Sequence, residues 1–178
     1  MSESFRGEFN QKVDAKARVS VPASFRRVIE AGDPDWTPGK RPRFVLVYGD
    51  PSRQWAEGYT MAGIRKLERR ILKMRLGDKA RKALQFNMLT LSQELEIDED
   101  GRIVVPPKVR AKIGATDLSG GVETVFAGAL DTFQLWHRDA YEAEFAELMA
   151  GADDLLEDGQ DLLALSGCGQ VANVRSLS

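Results

Sequence analysis

Asp14 and Arg18 stand four residues apart, and Asp98 and Arg102 repeat that spacing 84 positions later. An aspartate at the start of a turn accepts hydrogen bonds from the turn amides. An arginine at its end carries a planar fork of donors that matches a carboxylate, a phosphate or the edge of guanine. Lys12 and Lys16 flank the first arginine, whereas Asp98, Glu99 and Asp100 precede the second. This is chemistry for holding a polyanion. A catalytic reading lacks its parts, because the chain has one histidine (His137) and one cysteine (Cys168). One cysteine excludes an internal disulfide and a cysteine-built zinc site. No P-loop, no carboxylate pair with a base and no metal-ligand spacing is present, so the sequence predicts a non-enzyme without cofactor or metal.

The two turns sit inside a longer repeat, which organises the chain. Residues 13–22, VDAKARVSVP, reappear as residues 97–106, IDEDGRIVVP. At the same offset Arg26 matches Arg110, and Phe25 and Ile29 match Val109 and Ile113. Apolar alternation places a β-hairpin in each copy. The first runs through Phe5, Phe9 and Val13 and returns through Val19 and Val21. The second uses Leu89, Leu91, Leu95 and Ile97 and returns through Ile103 and Val105. Asp100-Gly101 suits a tight turn, since both positions tolerate positive φ. Alternation puts Arg18 and Arg102 on the outer face, one residue before buried Val19 and Ile103. Pro22 and Pro106 each fit the first turn of a short helix, and Gly114 stops the second helix.

Strands at residues 44–48 and 122–126 continue the copies. Tyr59 matches Trp136 at an offset of 77, so the first copy carries seven extra residues. The Pro- and Gly-rich stretch 33–42 is where the sequence predicts them. Four segments result: a first unit over 5–60, a basic connecting helix over 61–87, a second unit over 88–138, and an acidic helix with a frayed tail over 139–178. Segment 61–85 holds nine Lys/Arg against Glu68 and Asp78. Net charge is −2, yet residues 1–110 hold 22 of the 25 Lys/Arg and 15 of the 27 Asp/Glu. A basic front joined to an acidic rear suggests a polyanion-binding part with a solubilising or regulatory part. No apolar run reaches the ~18 residues of a membrane span, and no secretory signal is expected.

Arg6-Gly7, the paired Asp-x-x-x-Arg turns, the following Ser-Val-Pro and Val-Val-Pro, and Phe133-x-Leu-Trp136 resemble the MraZ family of the AbrB-like (SpoVT-AbrB) superfamily. The resemblance covers residues 5 to about 150. It implies an α+β fold in which two swapped-hairpin units interleave into one pseudo-two-fold β-barrel, with flanking helices. It further implies a ring-shaped homo-oligomer of about eight chains that regulates transcription of the division and cell-wall cluster. Such a ring binds direct repeats of double-stranded DNA in its own promoter, and the protein is cytoplasmic and nucleoid-associated. The family's DNA-contacting position falls on Arg18 and Arg102, with Lys16 and Lys12 beside the first. Asp14, Asp98 and Gly101 are then the turn-structuring residues. Ala17 departs from the family pattern, which has glycine there. An alanine at a positive-φ position costs about 1 kcal/mol, which predicts a reshaped first turn.

Two readings stay open on the sequence. In one, Arg18 reads DNA; in the other, Arg18 and Arg102 merely close their hairpins on Asp14 and Asp98. The second reading makes the chain an antitoxin-like interaction module or ring scaffold. The acidic second turn leaves Arg102 open between DNA contact and structural role. The basic segment 61–85 is read as a packing partner for the acidic helix at 139–150, within a chain or between neighbours, rather than as a DNA track.

Overall fold

The computed structural model describes residues 4–156 and 158–167. Cys168 and the rest of the tail lie outside the described residues. The chain divides into two compact units, Met1–Ala140 and Tyr141–Ser178. The first unit mixes helices with antiparallel strands, an α+β architecture. Its first copy contains β1 (Glu8–Val13), β2 (Arg18–Ser20), α1 (Ala23–Ala31), β3 (Arg43–Val47), β4 (Ala56–Thr60) and α2 (Met61–Leu72). Next come α3 (Lys79–Leu84) and a π-helical turn (Gln85–Thr90). The second copy contains β5 (Ser92–Glu96), β6 (Arg102–Val104), α4 (Pro107–Ile113), β7 (Val122–Ala129) and β8 (Thr132–His137), and α5 (Arg138–Asp154) begins after it.

Hydrogen bonding does not respect the boundary between copies. The six-stranded sheet has the order β1-β7-β8-β4-β3-β5, and β2 pairs with β6 in a separate ribbon. Strand β1 of the first copy therefore lies on β7 of the second, and β5 of the second lies on β3 of the first. Exchanging the copies leaves the strand order unchanged, and it leaves the register unchanged too. Gln11 opposite Thr124 is matched by Leu95 opposite Phe44. Val19 faces its own counterpart Ile103, and Glu57 faces its own counterpart Gln134. These two self-equivalent pairs mark the local two-fold axis.

The register also corrects the position of the extra residues. Val45 opposes Tyr59 and Val125 opposes Trp136. The offset is thus 84 at the hairpins, 80 between β3 and β7, and 77 between β4 and β8. Four extra residues precede β3 and three fall between β3 and β4, so residues 33–42 hold only part of the insertion.

Other local readings change for identifiable reasons. Strand β5 starts at Ser92, because Leu89 belongs to the π-helical turn and Leu91 follows it. Phe5 makes an isolated bridge to Leu130 rather than a continuous strand with Phe9. Pro22 and Pro106 are N-caps, one step before the first helical residue. The basic segment is not one helix. Helix α2 ends at Leu72 with Lys73 as its C-cap. Gly77 takes φ +84° in the turn that follows, and Asp78 then caps α3 by accepting from the amide of Ala80 at 2.9 Å, the side-chain cap that starts a new helix. Among the described residues of the tail, Leu162–Ser166 form a 3₁₀ turn.

Inward-facing side chains of both copies share one core. Phe5, Phe25 and Phe44 from the first copy meet Phe126 and Phe133 from the second, all fully buried. Phe133 lies 5.2 Å from Phe5, 5.5 Å from Phe25 and 5.7 Å from both Phe44 and Phe126, ring centre to ring centre. Each such pair adds about 0.5–1.5 kcal/mol beyond simple burial. Gly58, directly opposite Phe133 across β4 and β8, leaves room for the ring. A Cβ at Gly58 would fall 2.2 Å from it. A second cluster forms where α2 lays Met61 and Ile64 on Val45 and Val47 of β3.

Two outcomes test this arrangement. Gly58→Ala should destabilise by about 1–3 kcal/mol through overpacking, read as a lowered Tm. Residues 1–86 alone keep β1 without β7 and β3 without β5. That fragment should be unfolded, aggregated, or folded only by pairing with itself; a cooperatively folding monomer would overturn the shared-core account.

Candidate nucleic-acid interface

The two turns have one backbone design. In the first, the amide of Asp14 donates to the Arg18 carbonyl at 2.9 Å and the amide of Ala17 to the Asp14 carbonyl at 2.9 Å. In the second, Asp98 donates to Arg102 at 2.9 Å and Gly101 to Asp98 at 3.0 Å. Each is an i to i+3 turn followed by a left-handed residue, the pattern of a bulged three-residue hairpin loop. Only that last residue is left-handed: Ala17 has φ +62° and Gly101 φ +75°, while Asp100 does not take positive φ. The expectation of a reshaped first turn is therefore corrected. Ala17 adopts the glycine conformation because its surroundings hold it there. Its carbonyl accepts from Val105 of the other copy at 2.7 Å, as that of Gly101 accepts from Val21 at 2.9 Å. Ala17 is buried, so tertiary contact offsets a local cost of about 1 kcal/mol.

The aspartates brace the loops from inside. Asp14 Oδ1 accepts from the amides of Lys16 and Arg18, both at 2.9 Å. Asp98 Oδ1 accepts from those of Asp100 and Arg102 at 2.9 and 2.8 Å. The amide of Arg18, with its guanidinium and the Lys16 amide, holds the Asp14 carboxyl below the ordinary aspartate range, against the opposing effect of burial.

The arginines differ. Arg18 donates from Nε to Asp14 Oδ2 at 2.8 Å; among the described residues neither terminal nitrogen has an acceptor, and the side chain is 37% exposed. Arg102 donates instead from Nη2 to Asp100 at 2.8 Å, while its Nε is buried without an acceptor, 3.9 Å from Asp98. Both lie on the outer face of the β2–β6 ribbon, with Val19 and Ile103 beneath. Arg18 opposes Val104 and Arg102 opposes Ser20. The two arginines are thus diagonal neighbours, roughly 7–8 Å apart across the two strands. Lys12 is the last residue but one of β1, before the first turn, and Lys16 sits exposed at its tip.

Two further cations come from the helices. Arg26 in α1 lies over the second turn, where a Cβ added to Gly101 would come within 2.7 Å of its Nη1. Arg26 and its counterpart Arg110 in α4 both have buried Nε atoms without an acceptor among the described residues. Their equivalence was visible in the repeat; that Arg26 crosses to the turn of the other copy was not. The arrangement gathers cationic forks around a two-stranded ribbon, suited to an anionic backbone and base edges.

Asp14 has a depressed folded pKa, so its support of the turn is complete above the ordinary aspartate range and is lost as pH falls through the lower folded value. Protection of the Arg18 amide from hydrogen exchange should fall over that acidic window, and Asp14→Asn should shift or abolish the transition.

The amino-acid sequence is similar to known proteins of one name. A family model described as "MraZ protein, putative antitoxin-like" matches residues 88–160. A protein of Cereibacter sphaeroides named transcriptional regulator MraZ is 53% identical over 167 residues, covering 93% of this chain and 96% of the relative. A Ruegeria protein of the same name is 45% identical over 95% of this chain and 99% of its own length. One from Parvibaculum lavamentivorans is 34% identical, covering 93% and 98%. With identity this high over nearly the whole length of these relatives, the chain belongs to the MraZ family.

Proposed function

We propose that this protein is a sequence-specific, double-stranded-DNA-binding transcriptional regulator rather than an enzyme. The observation that carries the reading is Arg18. Asp14 fixes its Nε, while the two terminal nitrogens stay open on the outer face of the ribbon. A guanidinium held in this way is oriented in advance for a bidentate contact with guanine. Lys16 and Lys12 supply phosphate contacts beside it. Arg102, tied to Asp100, has the smaller share. The relatives' name, transcriptional regulator, supports the role. An antitoxin-like scaffold would draw on the same Asp14–Arg18 ion pair, but it gives no use to the open nitrogens or to the two lysines.

The cross-paired strands support a barrel of two swapped hairpins. One ribbon offers too few side chains for tight recognition, so the working form is a ring of about eight chains. Its subunits meet direct repeats in the promoter of the chain's own gene and the division and cell-wall cluster. Neighbours on one face of the duplex meet repeats about 10 base pairs apart. A regulator so engaged resides with the nucleoid. No described helix is long and apolar enough to cross a membrane.

Gel shift and size exclusion on full-length variants test the proposal. Each lost arginine–guanine contact costs ~1–3 kcal/mol, and multivalency repeats the loss at every engaged subunit. Arg18→Ala should abolish promoter binding with the oligomer retained. Arg102→Ala should weaken binding less. Lys16→Ala should weaken all sequences alike and flatten the salt dependence. Wild-type affinity in Arg18→Ala would remove the turn as the reading element.

A further inference from the structure

The two turns share a backbone but carry opposite charge. At the hairpin offset, Lys12 corresponds to Glu96, Ala15 to Glu99 and Lys16 to Asp100. The first turn thus brings its own cations, whereas the second presents carboxylates beside Arg102. Bare carboxylates at a phosphate backbone are repulsive, which would keep the second turn off a duplex that the first turn engages.

The structure brings compensation from the other copy. The longer connection before β3 ends in Lys40, Arg41 and Pro42, which run against the strand entering the second turn. The Ile97 amide donates to the Pro42 carbonyl at 3.0 Å. Arg41 then grips Glu99 as a fork, with Nε 3.0 Å and Nη2 2.8 Å from Oε1, and Nη2 3.0 Å from Oε2. Beside it, Arg43 Nη1 stands 3.5 Å from Glu94 of β5. Lys40, Arg41 and Arg43 line one cleft with Asp33, Asp35 and Glu96, and Arg43 is held there by Asp33 at 3.0 Å and Asp35 at 2.8 Å. The connection between α4 and β7 is four residues shorter, and Ala15, at the position of Glu99, has no carboxylate to grip.

Stability does not account for this pair. Arg41 is 50% and Glu99 75% exposed in their side chains, and ion pairs at such exposure add little to folding. Their effect is on the local field. We propose that Arg41 is a positioning residue for DNA binding: by neutralising Glu99 from the other copy, it lets the second turn and Arg102 approach the phosphate backbone. The inference rests on the DNA-binding reading above and assigns a role to the extra residues of the first copy.

The test uses the full-length protein and a duplex carrying the region upstream of its own gene, with Kd measured across a salt series. Arg41→Ala should weaken binding by about tenfold at low salt, the loss shrinking as salt screens the exposed carboxylate. Arg41→Lys should keep most of the affinity. Arg41→Ala combined with Glu99→Ala should recover most of the loss, which a simple structural role for Arg41 would not allow. Glu99→Gln, which keeps the side-chain shape, should bind at least as tightly as wild type and covers the case of an unstable Arg41→Ala. Unchanged affinity in a folded Arg41→Ala protein overturns the proposal. So does a double variant as weak as Arg41→Ala, since Arg41 would then act directly rather than through Glu99. Failure of the wild type to bind this duplex would instead overturn the promoter reading, and this inference with it.

Discussion

Val105 donates its amide to the Ala17 carbonyl and Val21 donates its own to Gly101, so each hairpin turn is completed by the chain that follows the other hairpin. The same holds for the strands, because β1 finds its partner in β7 and β5 finds its partner in β3. Buried backbone groups left unpaired cost as much as a lost hydrogen bond. Neither copy meets that requirement within itself. Cross-pairing is the constraint from which the common phenylalanine core, the local two-fold axis and the adjacent arginines all follow.

Holding the turns from outside also sets their conformation. An isolated Asp-Ala-Lys-Ala-Arg loop would resist a left-handed alanine, at a cost of about 1 kcal/mol. Here the carbonyl of that alanine accepts a bond from across the axis and its methyl group is buried, and the loop keeps the geometry of its glycine-bearing twin. A turn fixed in this way presents Arg18 with its Nε engaged and its fork directed outward. The same ion pair that could be read as mere hairpin closure therefore also limits the motion of the guanidinium.

Symmetry is broken by chemistry rather than by shape. The copies superpose in register, but seven extra residues sit in the first copy, and both insertions reach toward the second. Arg41 takes hold of Glu99, and the Asp50 carbonyl accepts from Lys112 of α4. Desolvation by burial holds the Lys112 ammonium below its usual pKa despite the nearby Asp50. The second turn is thus met by Arg41 at Glu99 and by Arg26 at Gly101, while the first has alanine where Glu99 stands. A repeat of this kind yields two sites with one backbone and different electrostatic character.

Much of this was legible in the amino-acid sequence. The paired Asp-x-x-x-Arg turns, the alternation of Val19 with Arg18 and Ile103 with Arg102, and the 84-residue offset are local properties of the chain, and local patterns survive any tertiary arrangement. Breaks in the basic segment at Gly77-Asp78 were also written there, but a helical run of apolar residues masked them. Other features had no local signature. Which copy a strand pairs with, where the extra residues divide, why Ala17 tolerates φ +62°, and which turn Arg26 and Arg41 approach are all decided by contacts between residues far apart in sequence. Side-chain type limits what a residue can do; the cross-paired sheet decides what lies beside it, because hydrogen bonds left open by one copy are closed only by the other.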